Sequence, residues 1–144
     1  MEVHDQEKII QTYFSKYPLY LRLGENIKEA IETLLIGKGI ETISVNYRVK
    51  KLEQLLQKIK RKNYDNPFEQ MTDICGVRII CYFKEDIKKI EEIIKKEFEI
   101  IEKDEKVNNL PPHKFGYRSN HLVVKIKKDW AKTPNYRGLE NWKI

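Results

Sequence analysis

NPFEQMTDICGVRIICYF, residues 66–83, is the stretch that orders the rest of the chain. The approach to it, Asn63-Tyr64-Asp65-Asn66-Pro67, has the composition of a loop. From Ile74 onward the pattern changes to apolar and β-branched residues alternating at period two. Cys75, Val77, Ile79, Cys81 and Phe83 fall on one face of such a strand, and Arg78 falls on the other. This predicts a buried central strand over residues 74–83.

Upstream, Val49, Leu52, Leu55, Leu56 and Ile59 recur at helical spacing. They predict a helix over residues 47–62 with Lys50, Lys58 and Arg61 on its polar side. Residues 40–46 are rich in β-branched side chains and predict a short extended segment. Before them, Leu23, Ile27, Ile31, Leu34 and Leu35 form the stripe of a helix over residues 19–35 that ends at Gly37-Lys38-Gly39. Pro18 separates it from another helix over residues 2–17. Downstream, a surface helix is expected over residues 85–96 and a strand over 98–102. A loop containing Pro111 and Pro112 follows, then a strand over residues 118–127. Residues 141–144 read as a strand just beginning. The whole is one α+β domain, with an N-terminal helical region over residues 1–45 and a core over 46–144.

The 144 residues carry 28 Lys and Arg against 22 Asp and Glu, a formal charge of +6. Lysines and arginines recur in nearly every segment without forming a block. The charge therefore favours phosphates in general and does not by itself indicate DNA. No apolar run nears the roughly 20 residues that a bilayer crossing needs, and charge throughout the N-terminal segment predicts no secretory leader. The expectation is a cytoplasmic protein without a membrane association. Cys75 and Cys81 lie about 20 Å apart on an extended strand, too far to bridge each other, and are expected as free thiols. With His4, His113 and His121 they show no zinc-ligand spacing.

Three clusters could carry chemistry. On a helix, Lys50 and Arg61 point within about 20° of each other with Lys58 alongside. Such a face can hold a polyphosphate, and it is equally what an amphipathic helix shows to water. Asp73, at the mouth of the central strand, suits magnesium, a hard cation that prefers carboxylate oxygen; it also suits a plain cap or strand end. Alternation puts Asp73 and Arg78 on opposite faces, so a shared site would need a kink near Gly76. After Gly116, period two places Tyr117, Ser119 and His121 together. An aromatic ring beside a hydroxyl and an imidazole can stack a base and touch its phosphates, or simply form the wet side of a strand.

Taken in order, YRVKKLEQLLQKIKRK (residues 47–62), NPFEQMTDICGVRIICYF (66–83) and FGYRSNHLVV (115–124) resemble the synthetase domain of the RelA/SpoT family, the alarmone synthetases, in its small single-domain form. The resemblance implies a nucleotidyltransferase-like mixed β-sheet flanked by helices. It also implies a pyrophosphokinase that moves the β,γ-diphosphate of magnesium-bound ATP onto the 3′-hydroxyl of GDP or GTP, making (p)ppGpp. By motif, Arg48, Lys50, Lys58, Arg61 and Arg78 would bind ATP, with Asp73 and Arg78 in the catalytic centre and Asp73 holding Mg2+. Tyr117 would stack on the guanine, with His121 and Lys114 near the acceptor's phosphates. No protein nucleophile is implied.

The chain departs from the pattern in three places. Gln54 stands where the family often has a serine, and His113 and Phe115 replace the lysine and asparagine that commonly precede Gly-Tyr. The family's Glu-x-Gln strand, which supplies a second acidic residue, would begin just beyond Ile144. The expectation is thus a synthetase-type domain truncated before that strand, binding nucleotides and turning over poorly or not at all. The resemblance leaves three points open: tRNA as the acceptor in toxin-type relatives, a non-catalytic guanine-nucleotide-binding module, and homo-oligomers built through flanking helices.

Overall fold

A computed structural model describes residues 3–104 and 120–144. The chain begins with one long helix, α1 (Val3–Gly37), which runs straight through Pro18. Two helices were expected there. Pro18 and Phe14 both lie on the exposed side, where water can take the Phe14 carbonyl that a proline leaves without a donor. The buried stripe, Tyr13, Tyr20, Leu23, Ile27, Ile31 and Leu35, is therefore uninterrupted. A tight turn follows in which Ile40 N–H donates to the Leu35 carbonyl, and Gly39 takes the positive φ of 71° that this turn requires.

β1 (Thr42–Val49) is longer than the extended segment expected at 40–46, and it takes in residues assigned to the next helix. The division between residues 45 and 46 falls inside this strand. α2 (Leu52–Lys62) is correspondingly shorter, and a single turn, α3 (Pro67–Gln70), precedes β2 (Cys75–Cys81). β2 alternates as expected: Cys75 is buried, Val77, Ile79 and Cys81 are partly buried, and Arg78 and Ile80 face solvent. It is shorter than the strand expected over 74–83, and it is neither central nor buried on both faces: among the described strands it pairs only with β1, and Phe83 is exposed. It pairs antiparallel with β1, placing Asn46 opposite Arg78 and Arg48 opposite Gly76. The sheet lies against α1 at Gly24. A Cβ there would sit 2.6 Å from the Tyr47 ring and 3.0 Å from the Cys75 sulfur, so the helix accepts a poor helix former to let the strands approach. Both cysteines are free thiols, and burial pushes Cys75 up to about 12, which leaves it protonated.

α4 (Lys84–Glu97) and β3 (Phe98–Asp104) follow as expected. β4 (His121–Ile126) pairs antiparallel with β3. The described strands thus form two antiparallel ladders, β1–β2 and β3–β4, in an α+β arrangement. Beyond β4, two short 3-10 turns (Trp130–Lys132 and Pro134–Tyr136) bring the chain back onto α1. There the Tyr136 hydroxyl donates to the Asn26 carbonyl at 2.8 Å, and Trp142 packs on Tyr20 at 4.6 Å. Ile144 exchanges both backbone hydrogen bonds with Val124 at 3.0 Å, as a residue starting a strand beside β4 would. Among the described residues, no helix is long and apolar enough to cross a membrane.

Candidate functional site

The chain leaves β1 at Lys50 and enters α2 at Leu52, and this elbow is fixed from two sides. Lys50 N–H donates to the Ile74 carbonyl at 2.7 Å, and its own carbonyl accepts from the Tyr13 hydroxyl at 2.9 Å. Its side chain turns back toward the bend before β2, where the ammonium lies 3.1 Å from Asp73 Oδ2. Nearly two turns into α2, Lys58 reaches the other carboxylate oxygen at 2.7 Å. The lysines are largely buried, at 14% and 17% exposed, whereas Asp73 is 49% exposed. Partial burial alone would raise the Asp73 carboxyl, but hydrogen bonds and charge from Lys58 and Lys50 outweigh it and hold the carboxyl below its ordinary value. The cluster carries two positive charges and one negative, with the carboxylate open to solvent.

Gln54, Lys58 and Arg61 share one face of α2, at the i, i+4 and i+7 positions. Gln54 Oε1 accepts a hydrogen bond from the Arg48 guanidinium on the exposed face of β1. Arg78 lies on that same face of β2, diagonal to Arg48, and Gly76 between them is bare: a Cβ there would meet nothing within 4 Å. Diagonal neighbours on a ladder stand roughly 7–8 Å apart. The result is a glycine-floored strip of sheet flanked by two guanidiniums, beside the Asp73 cluster.

The structure therefore brings together Lys50, Lys58 and Asp73, and places Arg48 and Arg78 on one adjoining face. It does so by a different route from the one the sequence suggested. Lys50 is not on the helix, so the helical alignment of Lys50 with Arg61 is not made; the two lysines instead converge through Asp73. Arg61 is exposed in the last turn of α2. Arg78 points away from the apolar face without a kink at Gly76, as strand alternation requires. His121 opens β4 in register with Asp104. Tyr117 and Lys114 lie outside the described residues, as do Gly116 and Ser119. An open groove of about 700 Å³ between the end of α1 and α4, lined in part by Lys38, Ile40, Phe83 and Lys89, shares no residue with this cluster.

Sequence reasoning missed two contacts. Gln54 was visible only as an odd residue at a serine position, although its place four residues before Lys58 puts both on one helix face. The Tyr13 hydroxyl on the Lys50 carbonyl spans 37 residues and leaves no local signal.

The donor set also limits what metal the site can take. Among the described residues, no three His, Cys, Asp or Glu side chains gather in one place. Asp73 is one carboxylate with an ammonium on each oxygen, too little to hold a divalent cation alone. It fits magnesium only where other oxygen donors complete the shell, since that ion takes one or two carboxylates and fills the rest with phosphate oxygen and water.

The fold that carries this cluster, a helix-backed antiparallel ladder, can be compared with known proteins. The chain belongs to the RelA/SpoT family: the region found in RelA/SpoT proteins matches residues 47–136. It is 34% identical to GTP pyrophosphokinase YjbM of Bacillus subtilis, over 67% of this chain and 52% of that protein. Its fold matches the small alarmone synthetase 1 of B. subtilis bound to its product pppGpp, with TM-score 0.64 and 32% identity, over 81% of this chain and 63% of the other. The same synthetase bound to AMPCPP matches with TM-score 0.54 and 26% identity, covering 83% and 60%. The chain thus spans about half the length of YjbM.

Proposed function

We propose that this domain is the nucleotide-binding core of an alarmone synthetase, an ATP:GTP/GDP 3′-pyrophosphotransferase working in the cytoplasm. One observation carries the reading: Lys50 and Lys58 converge on Asp73 beside a bare strip of sheet flanked by Arg48 and Arg78. A triphosphate is the kind of anion that such a group accommodates, because each lysine can exchange the carboxylate for a phosphate oxygen at little cost in charge. Relatives that are GTP pyrophosphokinases, and a structural neighbour bound to pppGpp, support guanine nucleotide as the acceptor.

In this reading the lysines orient and neutralise the β- and γ-phosphates, while Arg48 and Arg78 hold the rest of ATP on the sheet. Asp73, relieved of its lysines, would be the protein's ligand to Mg2+, which would supply further charge neutralisation on the phosphates. The acceptor's 3′-oxygen bonds to the β-phosphorus as the bond from that phosphorus to the α-phosphate oxygen breaks. AMP leaves with that oxygen, and the hydroxyl proton is lost. Catalysis by this chain's residues is then positioning and electrostatics without a covalent intermediate. Tyr117, His121 and Lys114 are proposed for the acceptor side, and Arg61 for the outer edge of the ATP site.

The test is incubation with Mg2+, ATP and, separately, GDP, GTP or deacylated tRNA, with AMP and product measured by mass spectrometry. AMP formed in step with a 3′-pyrophosphorylated guanine nucleotide is the expected result. Product on tRNA alone would replace the acceptor, and nucleotide binding without AMP would reduce the domain to a binding module.

A further inference from the structure

We infer that Tyr13, on the N-terminal helix and outside the matched family region, is a positioning residue for the phosphate-binding site. The inference rests on the nucleotide reading above. Tyr13 is 4% exposed, and its ring packs with Phe14 and Tyr17 at 5.4 and 5.6 Å. An aromatic residue at that position needs no hydroxyl to fill the core. The hydroxyl it has donates at 2.9 Å to the carbonyl of Lys50, the residue whose ammonium closes on Asp73. The opposite side of the same peptide segment is tied to Ile74 through Lys50 N–H.

Lys50 sits between the end of β1 and the start of α2, so neither element's own ladder secures it. Lys51, the cap of α2, makes no side-chain capping bond. The two backbone ties are what fix the point from which the Lys50 side chain departs, and one of them comes from α1. Burial raises the Tyr13 hydroxyl above its ordinary value, so it remains a donor throughout the neutral range. Without it the elbow keeps one tie, and the ammonium must be held in place by binding energy that would otherwise hold the ligand. α1 thereby acts on the site through one hydrogen bond as well as through packing.

The experiment is titration with AMPCPP and Mg2+, by calorimetry, of the wild type, Tyr13→Phe, Lys50→Ala and the double variant. Ile31→Val, a change in the buried stripe of α1 away from the elbow, controls for general loosening of that helix. Tyr13→Phe is expected to weaken binding by about three- to tenfold. Ile31→Val should bind as the wild type does, and the Tyr13 effect should vanish in the Lys50→Ala background. Wild-type affinity in Tyr13→Phe, an equal loss in Ile31→Val, or a Tyr13 effect that persists without Lys50 would each overturn the inference. A wild type that binds no AMPCPP would instead overturn the nucleotide reading, and this inference with it.

Discussion

The two ladders of this domain are built alike and finished differently. β1–β2 and β3–β4 are both antiparallel pairs beside a helix, and each register slips once, between Thr42 and Ser44 in the first and between Ile100 and Glu102 in the second. Around β3–β4 the structure closes with apolar mass: Phe98, Val124 and Ile126 are buried, Trp130 packs at a tilt against Phe98 at 4.8 Å, and Ile144 bonds to Val124. Around β1–β2 one face is closed by α1, and the other presents Arg48, Arg78 and a bare Gly76 to solvent. The elbow leading out of β1 gathers charge instead of apolar surface. The same supersecondary unit is thus closed by apolar packing in one place and left open and basic in the other, where the proposed function puts recognition, and what separates them is which face a neighbour covers.

Substitutions can break each half separately. Phe98→Ala should cost the most stability, about 3–5 kcal/mol, because a fully enclosed ring leaves a cavity; urea unfolding measures it. Asp73→Asn should do the reverse. Turnover in the AMP assay should fall about a hundredfold or more, while stability changes by less than about 1 kcal/mol, since the carboxylate is half exposed. An Asp73 variant with full turnover, or a Phe98 variant with full stability, would erase the distinction between the ladders.

Gly24→Ala sharpens the comparison by pressing on the seam between α1 and β1–β2. Up to about 1 kcal/mol is gained from helix propensity, but the new Cβ meets the Tyr47 ring and the Cys75 sulfur. A net loss of about 1–3 kcal/mol is expected, again by urea unfolding. The smallest effect is in acid. Asp73 titrates below its ordinary value, so its contribution is present above the unfolded-state pKa, about 4, and is lost as pH falls through the lower folded value. The stability difference between wild type and Asp73→Asn should therefore be constant above about pH 5 and shrink below pH 4. A difference that persisted unchanged to the lowest pH would show that the lysine pairing is not its source.

Much of this was legible in the chain. β2 could be read because Cys75, Val77, Ile79 and Cys81 recur at period two on the one face that meets a neighbour, and α4 because its isoleucines keep helical spacing. The start of α2 was misplaced because Val49 and Leu52 fit the helical stripe equally well. The pairing of Val49 with Cys75, 26 positions away, decides that Val49 ends a strand. Pro18 misled for a similar reason, since its cost depends on whether the freed carbonyl meets water or the core. At the site, residue types and order marked Lys50, Lys58 and Asp73 individually. Their convergence depends on an elbow tied by Ile74 and Tyr13, and long-range backbone bonds of that kind leave no pattern in a single sequence.

The central claim is that the lysines on Asp73 form a polyphosphate site. Its most direct test is calorimetric titration of wild type and Lys58→Met with AMPCPP and Mg2+, alongside their urea unfolding midpoints. Binding weakened at least about tenfold in Lys58→Met, with the midpoint nearly unchanged, is the predicted result. Equal affinity in the two proteins would contradict it.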